Sequence, residues 1–125
     1  MGFLGRPESN GALYLPAALF SEDNKRVWRS NALVDTGAQF ALVHPLVLDE
    51  LGVDPKQEAE IDTALGMARA RVCILRFALE GIFDGRLSAL ESRSKERVVL
   101  GRQFLAFTRI EANWPARSFA VWKSP

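Results

Sequence analysis

The chain has 125 residues, enough for one domain with a real core. Its formal net charge is +1, from 16 basic and 15 acidic side chains, so no field selects nucleic acid or an anionic membrane as partner. Cys73 is the single cysteine and His44 the single histidine, which excludes an intrachain disulfide and a Cys/His zinc site.

No apolar run reaches the ~20 residues of a membrane-spanning helix. Residues 12–20 are apolar, but the run is short and Pro16 interrupts it. The first residues lack the charged start of a secretory signal, and Arg6 stands where a myristoylation signal wants Ser or Thr. A cytoplasmic protein with no membrane and no nucleic-acid partner is the expectation.

Residues 1–11 contain Gly2, Gly5, Pro7, Ser9, Asn10 and Gly11, and read as a flexible leader before a single domain over 12–125. Residues 12–20 predict a strand, with Pro16 suiting an edge. A polar turn at 21–25 leads to a strand over 27–35 and a short apolar strand over 40–43. Pro45 and Gly52 bracket one or two helical turns over Pro45–Leu51. Residues 58–79 read as two strands folded about Leu65, Gly66 and Met67. Strands follow at 85–91 and 98–100, then a short helix or turn at 101–107. Strands at 108–112 and 118–122 close the chain. Short apolar segments with dense punctuation give an all-β class with one or two short helices.

The chemistry-bearing stretch is Asn31-Ala-Leu-Val-Asp-Thr-Gly-Ala38. An apolar strand runs straight into Asp35, Thr36 and Gly37, which is a way to present one carboxylate at the end of a buried strand. Gly37 has no Cβ and so permits a tight turn and close approach of another chain. Thr36 carries a hydroxyl that both donates and accepts. Asp-x-Gly is also ordinary turn chemistry. Two features favour more than a turn here: residues 38–43 continue as a second strand, and a buried strand ending in Leu100 and Gly101 comes later.

These two segments together, Val34-Asp35-Thr36-Gly37 and Val99-Leu100-Gly101-Arg102, resemble the retropepsin-like aspartic peptidases of clan AA, in their cellular or bacterial form. The resemblance spans residues 31–105, and its two ends carry the specificity. It implies the retropepsin-like acid-protease fold, a closed barrel-like β half whose active site forms at a homodimer interface. Family members carry one Asp-Thr/Ser-Gly per chain and complete the site by pairing. Two nearby carboxylates share one proton, the known behaviour of the aspartic-protease dyad, so one activates water and the other protonates the carbonyl oxygen. By this resemblance Asp35 is catalytic and Thr36 and Gly37 support it. Ala38 and Gln39 line the cleft, and Leu65, Gly66 and Met67 form the tip of a flap that covers a bound peptide or protein substrate. The reaction needs no metal and no cofactor.

The resemblance also carries two departures. Viral members usually have an acidic residue at the position of Gln39, paired with the arginine matching Arg102; that ion pair is impossible here. Gly-Ala-Gln patterns occur in cellular relatives of the DNA-damage-inducible group. Family dimers interleave terminal strands, a role open to residues 118–122 or 12–20, unless Phe119 and Trp122 pack in the monomer core instead.

Other candidates are weaker. No Gly-x-Ser-x-Gly frames a serine beside His44. Cys73 reads as a small core hydrophobe. Arg69, Arg71 and Arg76 read as a solvated face. The resemblance leaves two function classes open: an aspartic endopeptidase acting as a homodimer, or an inactive domain of that fold binding an extended peptide or protein partner. A self-processing peptidase that removes its own leader is a variant of the first.

Overall fold

The computed structural model describes residues 2–63 and 65–124. Its β-content dominates, with two short helices among the described residues. Strand β2 (Tyr14–Phe20) pairs antiparallel with β3 (Val27–Val34). Next in the sheet come β8 (Val98–Leu100), β4 (Ala41–Val43), β7 (Phe83–Glu91) and β6 (Gly66–Leu79). β6 then returns to β2, from Ala18 opposite Ala78 to Phe20 opposite Arg76, and closes a barrel. β5 (Gln57–Thr63) pairs with β6 outside that ring.

Inward residues follow the two-residue period of strands. Leu15, Ala17 and Leu19 of β2, Leu75, Phe77 and Leu79 of β6, and Leu87 and Ala89 of β7 are buried together. The three residues of β8 are all buried, because this strand lies in the middle of the sheet with β3 on one side and β4 on the other. Helix α1 (Pro45–Leu51) caps this core with Val47, Leu48 and Leu51. Burial of each side chain contributes about 1.5–3 kcal/mol. Pro45 starts the helix, His44 Nδ1 accepts from the Leu46 N–H at 3.1 Å, and Gly52 ends it at φ 67°. Helix α2 (Arg102–Leu105) is a single turn whose Phe104 is fully buried, edge-on to Phe83 at 5.8 Å.

A second sheet holds the termini. β1 (Gly2–Gly5) pairs antiparallel with β10 (Ser118–Lys123), which pairs on its other side with β9 (Thr108–Asn113). This differs from the loose leader read for residues 1–11. Phe3 packs on Phe119 at 5.8 Å, and the glycines let the strand settle: a Cβ on Gly2 would run into the Val121 carbonyl and one on Gly5 into the Phe119 ring. Local composition signals a loop, but pairing with a distant strand decides.

Two further positions differ in detail. β2 sits inside the barrel ring, yet Pro16 lies where it pairs with β3 alone, since pairing with β6 begins at Ala18. A missing N–H is tolerated there for the same reason as at a true edge. In the β5–β6 hairpin Gly66 lies opposite Thr63, so Gly66 and Met67 already belong to β6 and Leu65 lies in the turn. Gly66 takes φ 112°, a conformation that favours glycine.

Candidate active site

Asp35 is the first residue beyond β3, and its backbone is fixed from the neighbouring strand: its N–H donates to the Leu100 carbonyl at 2.9 Å. The pairing behind it is parallel, Leu33 beside Val99 and Val34 beside Leu100. On the other side of β8, Leu42 and Val43 run antiparallel to it. The chain therefore leaves β3, turns through residues 35–40, and re-enters as β4 on the far side of β8. The loop bridges the end of the central strand.

Within the turn, Asp35 Oδ1 accepts from the Gly37 N–H at 2.8 Å, and the Ala38 N–H donates to the Asp35 carbonyl at 3.3 Å. The carboxylate is thus oriented by its own loop. The segment after β8 then clasps the loop from behind. The Arg102 N–H donates to the Ala38 carbonyl at 2.8 Å and the Gln103 N–H to the Gln39 carbonyl at 3.0 Å. Gly101 is buried at this crossing; a Cβ there would stand 2.6 Å from both the Ala38 and Phe40 carbonyl oxygens. The glycine is required by space, since its φ of −100° is open to any residue.

Asp35 is half-buried, while Thr36, Gly37 and Gln39 are exposed. The motif residues Asp35, Thr36, Gly37, Ala38 and Gln39 therefore share one loop with an open face. Leu65, Gly66 and Met67 lie apart, at the end of the β5–β6 hairpin. Leu65 is fully exposed and Met67 is 63% exposed, two large apolar side chains at a hairpin tip. A cleft of about 870 Å³ between the β2–β3 turn, the end of α1 and Cys73 contains none of these residues.

Gln39 supplies no acid, and among the described residues the exposed Arg102 guanidinium makes no ion pair. Sequence reading passed over Gln103. Its Oε1 is buried without a hydrogen-bond partner among the described residues. Only its place after Gly101 and Arg102 could have drawn attention to it. Arg71 is exposed, as a solvated face implies, and its guanidinium also bonds the Pro55 carbonyl and Asp54.

Chemically, one chain offers one oriented carboxylate. It can take a proton or give one, but amide hydrolysis needs both roles together. Among the described residues no second carboxylate belongs to this loop.

No protein-family model matches the chain, and no curated protein matches it. Solved structures do. A retropepsin-like aspartic protease from Rickettsia conorii superposes with a TM-score of 0.70 at 16% identity, over 100% of this chain and 94% of that one. The protease of Simian Foamy Virus (mac) superposes with a TM-score of 0.55 at 21% identity, over 76% of this chain and 93% of that one. At these identities the likeness is one of fold: the chain has the retropepsin-like fold, its barrel and two short helices included.

Proposed function

We propose that this protein is an aspartic endopeptidase that works as a homodimer, with Asp35 of each copy forming the dyad. The observation that carries the reading is the clasped loop. A single carboxylate sits at the end of a central-sheet crossing, held by Leu100, Gly37 and the tight Gly101 contact, on a fold shared with proteases. A protein does not need that rigidity to make a surface turn.

In this reading one Asp35 is ionised and takes a proton from water as the water attacks the scissile carbonyl. The other is protonated and donates to the carbonyl oxygen as charge develops there. Thr36 and Gly37, exposed beside Asp35, would face the second copy. Ala38 and Gln39 line the floor beside an extended substrate, which would bond to strand-like backbone. Leu65 and Met67 gain cover only when the hairpin closes over something apolar.

A second reading, a domain that binds an extended peptide without cutting it, is favoured by one observation. Both edges of β10 are occupied within one chain, and β2 is built into the barrel. Terminal strands therefore have no vacant place at β10 to interleave, and strand addition to this sheet by a second copy would use the outer edge of β1 or β9. Exposed Leu4, 82% accessible on β1, marks one such edge.

Cleavage of an unbiased peptide library across a pH series, read by mass spectrometry, separates the two. The peptidase reading expects cuts from the wild type that Asp35→Asn abolishes. Identical patterns from both proteins, or none from a chain shown to be dimeric, favour the binding domain.

A further inference from the structure

Among the described residues, Arg71 ties the base of the hairpin that would cover the site to neighbouring parts of the chain. β6 pairs with β7 only from Val72, opposite Leu90, onward. From Gly66 to Arg71 it pairs with β5 alone and has left the barrel. Arg71 is the first residue beyond that branch point.

Its guanidinium gathers three parts of the chain. Nε and Nη2 both donate to the Pro55 carbonyl, at 3.0 and 2.7 Å, and Nη2 also reaches Asp54 Oδ1 at 2.7 Å. Nη1 stands 3.6 Å from Glu91 Oε2. Asp54 and Pro55 form the elbow between α1 and β5. Glu91 ends β7, lies opposite Val43 of β4, and is followed by Ser92, whose N–H donates to the Val43 carbonyl at 3.0 Å. β4 is the strand into which the Asp35 loop runs. Glu58, opposite Arg71 in register, turns away to pair with Arg69 at 3.4 Å.

We infer that Arg71 is a positioning residue that fixes the angle between the β5–β6 hairpin and the strand pair carrying the Asp35 loop. Its catalytic consequence rests on the peptidase reading; the clamp itself rests on geometry. The ion pairs alone would not suffice, because the Arg71 side chain is 44% exposed and Asp54 73%, and exposed pairs are weak. The doubly bonded Pro55 carbonyl supplies the direction. Only a planar fork can hold a carbonyl, a carboxylate on the elbow and a second carboxylate on the barrel at once. Pro55 stiffens the acceptor side by fixing its own φ. A lysine ammonium keeps the charge and loses the fork.

The test is amide hydrogen exchange on the full chain, comparing wild type with Arg71→Ala, Arg71→Lys and Glu91→Gln. The expected result is roughly tenfold faster exchange over residues 57–71 in both arginine variants, the size that follows from losing several bonds to one fork. Glu91→Gln shows a smaller change in the same segment. Exchange in β7 and β8 stays at its wild-type rate. Where the wild type cleaves peptides, Arg71→Ala raises KM more than it lowers kcat. The inference is overturned if exchange over 57–71 is unchanged, if it rises equally in the barrel strands, or if Arg71→Lys restores the wild-type pattern. Exchange is read without substrate. A wild type that cuts nothing therefore removes the peptidase reading and leaves the clamp to be judged by exchange.

Discussion

Gly101 and the Ala38 carbonyl oxygen stand so close that no side chain fits between them: a Cβ on Gly101 would lie 2.6 Å from that oxygen. The contact joins the end of β8 to the loop carrying Asp35. The loop's position is therefore set by the absence of a side chain on another segment.

Gly101→Ala tests this directly. The methyl must displace backbone carbonyls of Ala38 and Phe40, which cannot rotate away as a flexible side chain would. The expected cost is about 1–3 kcal/mol of stability, as for other overpacked cores. Urea unfolding measures it. Peptidase activity should fall further than the loss of folded protein explains, because the loop itself moves.

Gln103→Met is expected to act in the opposite sense. The buried Oε1 has no partner among the described residues, so removing it relieves a desolvation penalty while methionine keeps the volume. Stability should stay level or rise by about 1 kcal/mol, measured in the same urea assay. A clear loss would show that the amide has a partner in the assembled protein.

Cys73 should be a slow nucleophile. Burial pushes its thiol up to about 11, and the Glu91 carboxylate adds to the effect. The thiolate fraction near pH 8 is then small. Alkylation by iodoacetamide should run about two orders of magnitude slower than for a free cysteine of ordinary pKa. Urea-unfolded protein should react at the ordinary rate.

Asp84 links stability to acid. The Arg76 guanidinium bonds both its oxygens at 2.9 Å and holds its carboxyl below the usual range. A lowered folded pKa means the contribution is fully present above the unfolded value of about 4 and disappears as pH falls through the folded one. Both side chains are substantially exposed, so the effect is small. Asp84→Asn should narrow the stability difference between neutral pH and pH about 3. Thermal unfolding across that series measures it.

Much of the fold was legible because its signals are local. Pro45 and Gly52 bracket α1 as expected, and residues 58–79 fold back as the two paired strands β5 and β6. That an apolar strand ends at Asp35 and the chain returns as a second strand was legible from the residues on either side of the turn. What was hidden depends on contacts between distant segments. β1 looked like a loose leader because its two glycines signal flexibility, whereas they serve close packing on β10. Arg71 is solvated as its strand parity suggests, but parity says nothing of the Pro55 carbonyl it bonds. The buried Gln103 oxygen carries no sequence signal beyond its neighbours.

The central claim is that two copies each lend one Asp35, and mixing tests it most directly. Wild type and Asp35→Asn are refolded together at fixed total concentration and rising mutant fraction, and peptide cleavage is measured. A shared dyad predicts activity that falls as the square of the wild-type fraction, to about a quarter at equal amounts. Activity that falls only in proportion to the wild-type fraction, or a wild type that cuts nothing, would contradict the account.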